Sequence, residues 1–382
     1  MKVLSVVWKI YDDRLQEFSN DTNGLIVVRD ICEYIGRRIE SYLLLGKAFL
    51  TGIKLGNIHI VDSESIAKRF PTKSHLEIMS EAFKQALSDI QPDIVHFHDC
   101  GDFCRACIKI CIEREVPYVF TAHGFIAKNQ TISSSYDREI AWQEEVYTTS
   151  DINIVAVGKG IAHKIYGDYP ELRDGHLHVI QNGTTFRAEK IISDLKFKLG
   201  LQEKKILICP GKLTKRKNQI QIVKAYKRLP QSVSKNIGII FCGNDRLDGE
   251  LQKAIQAAGI EDSLKYVGAV SSEKMKEYYS ISSGMITASL TEGLSIAALE
   301  TVAYGLPVVM FSDLECAADL NNEHVSCLAE QRTDEALAGA IEKWAEKEWD
   351  RDIILEFASQ FSMEKVADEY IDYYEDILRR TK

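Results

Sequence analysis

The segment that most constrains the fold is residues 286–311, with the sequence ITASLTEGLSIAALETVAYGLPVVMF. A short apolar run meets a polar turn, a helical pattern then extends from Ser295 to Gly305, and a second apolar run follows Pro307. Because each change of periodicity coincides with a turn or capping residue, this order predicts a strand, a loop, a helix and a second strand.

The predicted loop places a carboxylate beside the start of a helix. Glu292 lies in the loop, and the backbone N–H groups that follow it sit at the positive end of the helix, where an anion such as a phosphate binds well. These N–H groups belong to Gly293, Leu294, Ser295 and Ile296. On one continuous helix Glu292 and Glu300 would lie about 80° apart. We therefore expect Glu300 a turn or more below Glu292, with both facing one ligand.

The same alternation of strand and helix occurs in both halves of the chain. Apolar runs such as 2–8 and 118–121 alternate with helical patterns, and the alternation restarts at 205–210 after a polar segment, 182–204. This predicts an α/β protein with two Rossmann-like lobes and mainly parallel sheets. The expected domains are 1–183, joined by the amphipathic C-terminal helix 361–382, and 184–360.

Composition excludes several classes of protein. The 382 residues carry a net charge of −9, which argues against a nucleic-acid partner because phosphate-backbone affinity depends on clustered Lys and Arg. The sequence has neither a signal-peptide pattern at its start nor an apolar run of 18 residues. Nine cysteines without an export signal are typical of reduced thiols, so we expect a cytoplasmic protein.

Two groups of residues raise the question of a metal. Cys100, Cys104 and Cys107 have the C-x3-C-x2-C spacing of some iron–sulfur enzymes, but with Cys111 they also follow the i, i+4, i+7, i+11 spacing of a buried helix face. The buried face is favoured because cysteine is often buried and apolar residues continue the helix. His96 and His98 would share one face of a strand, but lack a third ligand at a suitable spacing. We therefore expect no metal.

The segment 36–56 leaves two interpretations open. It places Arg37, Arg38, Lys47 and Lys54 around the apolar run 42–45. This mixture predicts either a solvated helix that packs on the core or a helix with a membrane-surface face.

Three further positions point to a ligand. The strand 118–121 delivers His123 to its carboxyl end, where open parallel sheets bind ligands. Gly24 lies where a loop enters a helix, so its backbone could approach a phosphate closely. The turn 211–218 has four basic residues within six positions and opens a helix, which makes a local positive pocket. Together with the helix start at 293–296, this turn predicts a clamp for a diphosphate.

Taken together, these stretches resemble the family 4 retaining glycosyltransferases of GT-B fold. The matching segments are PDIVHFHD (92–99), VPYVFTAHG (116–124), VIQNG (179–183), GKLTKRKNQ (211–219), FCG (241–243), YVG (266–268) and EGLSIAALETVAYGLPVV (292–309). The last segment is the most specific, because it places an E-x7-E spacing before A-x-G-x-P-V-V. The resemblance implies two Rossmann-like lobes that face each other across a cleft, with the C-terminal helix crossing back to the first lobe.

The resemblance also implies roles for individual residues. Catalytic roles fall to Lys212 and Lys217 at the diphosphate, to Glu292 at the donor sugar, and to His123, which contacts that sugar from the first lobe. The implied donor-binding positions are Gly24 at the phosphates, Gly268 near the base, Gly293, Leu294, Ser295 and Ile296 at the sugar, and Glu300 at the ribose. The sequence departs from the family at position 212, which is usually Arg, and in a first loop that lacks paired glycines.

The implied activity is retaining transfer of a hexosyl-type sugar from a UDP- or GDP-sugar to a hydroxyl of a sugar or lipid-linked glycan. The expected setting is bacterial polysaccharide or glycoconjugate synthesis, without metal or cofactor, in the cytoplasm. A location at the inner face of the membrane, with peripheral contact, stays open. Three alternatives also stay open: a GT-B sugar-nucleotide epimerase, a sugar-phosphate synthase, and a non-catalytic nucleotide-sugar-binding protein.

Overall fold

A computed structural model describes residues 1–8, 26–47, 49–128, 134–149, 152–173 and 175–381. The chain divides into two compact units. The first unit contains Met1–Gly183 and Met363–Lys382, and the second contains Thr184–Ser362.

The first unit is built on an eight-stranded sheet. Its strands are β1 (Lys2–Val7), β2 (Glu40–Leu45), β3 (Lys54–Leu55), β4 (Ile58–Ile60), β5 (Ile94–Phe97), β6 (Tyr118–Ala122), β7 (Asn153–Ala156) and β8 (Leu177–Val179). Its helices before the second unit are α1 (Ile26–Ile35), α2 (Glu64–Arg69), α3 (His75–Ile90), α4 (Asp102–Glu113), α5 (Ser134–Tyr147) and α6 (Lys159–Asp168). The strand order is β3-β4-β2-β1-β5-β6-β7-β8, and only the β3–β4 pair is antiparallel among these strands.

The second unit has a six-stranded, fully parallel sheet in the order β11-β10-β9-β12-β13-β14. These strands are β9 (Lys205–Pro210), β10 (Ile237–Cys242), β11 (Leu264–Tyr266), β12 (Gly284–Ile286), β13 (Val308–Phe311) and β14 (Ser326–Ala329). The helices are α7 (Leu195–Lys198), α8 (Gln219–Arg228), α9 (Gln231–Ser234), α10 (Glu250–Ala258), α11 (Ser272–Ile281), α12 (Ile296–Ala303), α13 (Ala317–Leu320), α14 (Asp334–Glu346) and α15 (Arg351–Ala358).

The prediction of two α/β units with mainly parallel sheets is confirmed. In each sheet the chain builds outward from a central strand and then crosses to that strand's other side. This reversal lies between β1 and β5 in the first unit and between β9 and β12 in the second. Ligands of open parallel sheets bind beyond the carboxyl ends of the strands at such a reversal. The loops after these four strands are therefore the first places to look for a site.

The prediction of a helix within 36–56 is wrong. Residues 40–45 form β2, which pairs with β1 on one side and β4 on the other. Leu43, Leu44 and Leu45 are buried in the sheet, so they present no apolar helix face to core or lipid. A continuous short apolar run is typical of a buried parallel strand. Of the nearby cations, Arg38 pairs with Asp368 of the C-terminal segment at 3.0 Å.

The buried cysteine stripe is confirmed for three of its four members. Cys104, Cys107 and Cys111 are fully buried on α4, and burial raises the pKa of each thiol. Cys100 lies before the helix begins and is only partly buried.

The C-terminal helix α16 (Met363–Arg380) completes the first unit. Its buried side chains recur at helical spacing along one face, which packs against α1. The buried residues are Met363, Val366, Ala367, Tyr370, Tyr373, Tyr374 and Ile377.

A close backbone approach joins the tips of β9 and β10. Gly243 has a φ of +145°, and a Cβ at this position would lie 2.1 Å from the carbonyl oxygen of Gly211. The approach lets the Gly211 N–H donate to the Cys242 carbonyl at 2.8 Å and the Leu213 N–H donate to the Asn244 carbonyl at 2.9 Å. Glycine is required here because any side chain would push the loop after β9 away from the sheet.

We expect Gly243→Ala to lower the free energy of unfolding by more than about 2 kcal/mol, because it combines backbone strain with a collision against fixed backbone atoms. Urea unfolding followed by circular dichroism measures the change.

The matched control is Gly339→Ala, at a helical glycine of α14 where a Cβ would meet nothing within 4 Å. This control should be neutral or should stabilise the protein by roughly 0.5–1 kcal/mol, since alanine favours the helix. Equal stability of the two variants would contradict the role of Gly243.

Candidate functional site

Two loops at the carboxyl edge of the second sheet are tied together at the predicted position. The loop 211–218 follows β9, and the loop 287–295 follows the neighbouring strand β12 and leads into α12. The Leu290 N–H donates to the Arg216 carbonyl at 2.8 Å. In return, Nη1 of Arg216 donates to the Thr291 carbonyl at 2.7 Å. The basic turn and the acidic loop therefore form one continuous surface.

An ion pair lies at the centre of this surface. Nζ of Lys217 donates to Oε2 of Glu292 at 2.6 Å, and Nη1 of Arg216 lies 3.2 Å from the same oxygen. The side chains of Lys217 and Glu292 are 17% and 14% exposed, so solvent screens their attraction less than it would at an open surface. The Lys217 ammonium has three N–H donors, and one of them bonds to Glu292. The ammonium therefore has further N–H directions for an anion.

The start of α12 adds the positive end of a helix dipole to the same edge. Gly293 and Leu294 lead into the helix, and Ser295 is its N-cap residue. The Ser295 hydroxyl makes no capping hydrogen bond, and the first turn contains no acidic side chain. Glu292 lies just before this helix, which is the end at which a negative charge is stabilised.

Lys212 lies in the loop after β9, and Glu300 lies in α12, the helix that follows the acidic loop. Lys212 is half-buried, and its carbonyl accepts a hydrogen bond from Nε2 of Gln219 at 3.0 Å, which fixes the backbone of the turn. Glu300 is four residues beyond Ile296, about 6 Å along the helix axis. Its Oε2 accepts a hydrogen bond from the Tyr279 hydroxyl at 2.7 Å.

Gly268 lies after β11, next to β10 in the sheet. It has a φ of +76°, and its carbonyl accepts the Gly243 N–H at 2.7 Å. A Cβ at position 268 would have open space around it, so only the positive φ requires glycine there.

Sequence reasoning missed two residues that support the acidic loop. Glu315 is buried and follows β13; one of its oxygens accepts the Thr291 hydroxyl at 2.6 Å and the other accepts the Glu292 N–H at 2.8 Å. Arg332 donates to the carbonyl of Ser289 at 2.8 Å. An acid shortly after the apolar run 308–311 was the available signal for Glu315, because that run leads to the same edge of the sheet.

In the first unit, His123 follows β6 at the carboxyl edge. Its Nε2 lies 3.2 Å from Nδ1 of His98, which follows the neighbouring strand β5. Burial lowers the pKa of His123 to about 4 and that of His98 well below its usual range. Both rings are therefore neutral near pH 7, so this pair offers hydrogen bonds without charge.

Asp99 fixes the edge beside His98. Its carboxylate accepts the Trp8 N–H at 2.6 Å and the Gly101 N–H at 3.0 Å, which joins the tip of β1 to the start of α4. Burial raises the pKa of this carboxyl. Gly24 lies outside the described residues.

The structure thus brings Lys217 and Glu292 into direct contact and places Lys212, Gly293–Ile296 and Glu300 on the two segments around them. His123 belongs to the other unit. Within the described ranges, no group of three or more His, Cys, Asp and Glu side chains could hold a metal ion. In the same part of the chain, none of the helices is both long and apolar enough to cross a membrane.

Comparison with known families assigns both units. Residues 27–185 match the model of Glycosyltransferase Family 4, and residues 192–361 match that of Glycosyl transferases group 1. The first unit is therefore similar to Family 4 glycosyltransferases and the second to group 1 glycosyltransferases, and the two matches together span most of the chain.

Individual relatives of the chain are distant. It is 21% identical over 255 residues to the alpha-monoglucosyldiacylglycerol synthase of Acholeplasma laidlawii, an alignment covering 62% of this chain and 63% of the relative. Alignments with the curated relatives that it matches cover between 52% and 63% of their length.

Two solved structures share the fold along the chain. The sucrose-phosphate synthase of Thermosynechococcus elongatus is 16% identical, with a TM-score of 0.77 over 100% of both chains. The Anabaena protein HepE, in complex with UDP-glucose, is 15% identical, with a TM-score of 0.69 over 98% of this chain and 100% of HepE.

We expect Glu315→Gln to lower the free energy of unfolding by about 1–3 kcal/mol, because the amide cannot accept both buried hydrogen bonds that the carboxylate accepts. Chemical denaturation measures this change. Glu323→Gln, at a side chain that is 84% exposed, is the matched control and should be neutral within about 0.5 kcal/mol. A Glu315→Gln variant as stable as this control would contradict the supporting role.

We expect acidification to destabilise the protein through its buried histidines. The native pKa values of His98 and His123 lie below the unfolded value of about 6.5, so between the native and unfolded values the unfolded chain binds more protons. This stabilisation is complete above about pH 6.5 and is lost progressively as the pH falls toward about 4.

Urea unfolding midpoints at about pH 7 and about pH 5 test this pH dependence. Asp99 acts in the opposite direction, because burial raises its pKa, so the wild type is compared with His123→Asn. The variant should lose less stability between the two pH values than the wild type does. An equal loss would show that His123 is not the group that titrates.

Proposed function

We propose that the protein is a retaining glycosyltransferase that moves a hexosyl-type sugar from a nucleoside diphosphate sugar to an acceptor hydroxyl. The observation that carries this proposal is the Lys217–Glu292 pair at the strand-order reversal of the second unit, beside the N-terminus of α12. A binding site that combines a cation, a helix N-terminus and a carboxylate suits a ligand that is anionic at one end and rich in hydroxyl groups at the other.

In this proposal the diphosphate binds between the basic turn and the helix start. Lys217 keeps its hydrogen bond to Glu292 and directs its other N–H donors to a phosphate oxygen, and Lys212 contributes the second positive charge of the turn. Lysine acts as a point charge and lacks the planar, bidentate donor set of arginine. This contact therefore selects for a negative charge on the ligand more strictly than for the ligand's orientation. By resemblance to the family, Gly24 is proposed as a further contact to the phosphates.

The remaining donor contacts follow from the order of the loops. Glu292 and the backbone of Gly293, Leu294, Ser295 and Ile296 position the sugar. Glu300 accepts hydrogen bonds from the ribose hydroxyls one helical turn lower, with its carboxylate oriented by Tyr279. Gly268, at the tip of β11, lies near the base. The donor is a UDP- or GDP-sugar, and the UDP-glucose bound to HepE, which has the same fold, supports this class.

The chemical step is a displacement on the face from which the leaving group departs. The bond between the anomeric carbon and the β-phosphate oxygen breaks, and its electron pair stays on the phosphate. The acceptor oxygen bonds to the anomeric carbon on the same face, and the acceptor proton passes to a phosphate oxygen. Lys212, Lys217 and the start of α12 stabilise the charge that develops on the diphosphate. His123 hydrogen-bonds the sugar, and the step requires no metal.

The acceptor in this proposal is a sugar or a lipid-linked glycan in bacterial polysaccharide or glycoconjugate synthesis. The relationship to a synthase named for a glucosylated diacylglycerol supports a lipid-linked acceptor. We place the enzyme in the cytoplasm, at the inner face of the membrane when its acceptor is lipid-linked.

A panel of nucleoside diphosphates and nucleotide sugars tests the donor class. A ligand that binds only the folded protein raises the melting temperature in proportion to the logarithm of its concentration over Kd. We expect a UDP- or GDP-sugar, together with the matching diphosphate, to raise it. Product analysis of that donor with and without an acceptor then separates transfer from epimerisation, which needs no acceptor.

We expect Lys217→Ala to lower the kcat of transfer by roughly 10²–10³-fold, because it removes a donor to the charge that develops on the leaving group. The fold should survive, since Arg216 still lies 3.2 Å from Glu292. Steady-state kinetics with the donor found in the panel measures the loss.

The matched control is Lys215→Ala in the same turn, where the side chain is exposed and no contact is resolved between it and Glu292. This variant should keep kcat within about twofold. A Lys217→Ala enzyme that is as active as this control would place the leaving-group site elsewhere.

A further inference from the structure

A groove of about 390 Å³ lies on the flank of the first unit, between α3 and the strands at one edge of the sheet. Side chains of β2, β4 and β3 form its floor, and the second half of α3 forms a wall. The volume falls within the range of small-molecule binding sites. None of the described residues that we assign to the donor lines this groove.

The topology of the sheet edge leaves the groove open. The strands β2 and β4 pair in parallel, and such a pair is usually connected through a helix that covers one face of the sheet. Among its described residues, the connection 46–57 contains no helix and forms the antiparallel strand β3 instead. Ala82 and Ala86 of α3 line the resulting space and are too small to fill it.

The floor combines two aromatic rings with a cation. Tyr42 and His59 are register partners on β2 and β4, and their rings stack with centroids 5.2 Å apart. The Tyr42 hydroxyl donates to Oε2 of Glu40 at 2.8 Å, which fixes the orientation of that ring. Lys54 is the register partner of His59 on β3 and is exposed. The floor therefore offers ring surface together with the N–H donors of an ammonium group.

The wall formed by α3 supplies hydrogen-bond acceptors. Nε2 of Gln85 donates to Oδ1 of Asp89 at 2.8 Å. This bond uses one N–H of the amide and one oxygen of the carboxylate, so the Gln85 carbonyl and the second Asp89 oxygen can accept further bonds. Acceptors on the helix and donors on the strands therefore line the same groove.

The charges in the groove restrict its ligand. Lys54 is accompanied by the carboxylates of Asp62 and Asp89. An anion would meet two carboxylates, unlike at the donor site, where Lys217 and the start of α12 favour a negative charge. An alkyl chain would cover Lys54 and Asp89 without giving them hydrogen-bond partners. A neutral ligand with many hydroxyl groups satisfies both signs, because each hydroxyl can donate and accept.

We propose that this groove is a second saccharide site, which binds a neutral sugar ring of a glycan apart from the place of transfer. The C–H groups of the sugar pack on the rings of Tyr42 and His59, since aromatic surface gains free energy when apolar groups cover it. Its hydroxyl groups bond to Lys54, Gln85 and Asp89. That the glycan is the acceptor or the product of the enzyme rests on the proposed function, whereas saccharide binding does not.

Saturation-transfer difference NMR with the full chain tests the binding class. The probes are glucose, galactose, N-acetylglucosamine, lactose and maltose, with glucose 6-phosphate as the anionic counterpart of glucose. We expect saturation transfer to at least one neutral saccharide, and weaker binding of glucose 6-phosphate than of glucose. Absence of binding by all five neutral saccharides, or a preference for the phosphate, would overturn the proposal.

Variants locate the bound saccharide. Lys54→Ala and Asp89→Ala each remove one exposed polar group of the groove, and we expect each to raise Kd about fivefold. The matched control is Ser88→Ala, on the same helix, whose hydroxyl donates to the Lys84 carbonyl outside the groove. This control should keep Kd within about twofold. A saccharide that binds both groove variants as tightly as it binds this control would overturn the proposal.

The same measurements separate this inference from the proposed function. A chain that binds a saccharide through Lys54 and Asp89 but transfers no sugar from any nucleotide sugar would leave the inference intact and refute only the proposed function. A chain that transfers a sugar, yet binds no saccharide in the groove, would refute only the inference.

Discussion

The structure of the candidate site depends on one short ion pair between two loops. Lys217 and Glu292 come from opposite sides of the strand-order reversal, and their contact of 2.6 Å holds together the basic turn after β9 and the acidic loop after β12. Both side chains are mostly buried, so solvent screens the pair little, but the pair is not the only link between the loops. The Leu290 N–H donates to the Arg216 carbonyl and Nη1 of Arg216 donates to the Thr291 carbonyl, so a prearranged surface presents the pair.

Buried residues behind this surface hold its loops in place. Glu315 holds the backbone of Glu292 from below, and Gly243 lets the neighbouring strand tip pack against the Gly211 carbonyl. In the first unit, Tyr374 of α16 contacts Nδ1 of His96 at 2.6 Å, and the His96 ring lies beside that of His98, with ring centroids 3.8 Å apart. In both units the residues at the edge are positioned by a buried second set, which is how preorganised sites maintain their geometry.

Sequence periodicity predicted most of the fold because each parallel strand is a short apolar run bounded by turn residues. It failed at 40–45, where basic residues on either side of the run imitated an amphipathic helix and only pairing with β1 and β4 reveals the strand. Motif spacing indicated Lys217, Glu292 and Glu300. It could not indicate Glu315 or Tyr374, because their contacts join residues far apart in the chain and depend on the completed fold.

The nine cysteines have a practical consequence. All are free thiols, eight are buried, and they are distributed over both units. A buried thiol reacts with an alkylating reagent only when its surroundings open, so its reaction rate measures the free energy of that opening. Cys107 in the first unit and Cys209 in the second give each unit a native thiol whose labelling rate reports its opening. Native-state labelling resolved by mass spectrometry can therefore follow the opening of the two halves separately, without an introduced probe.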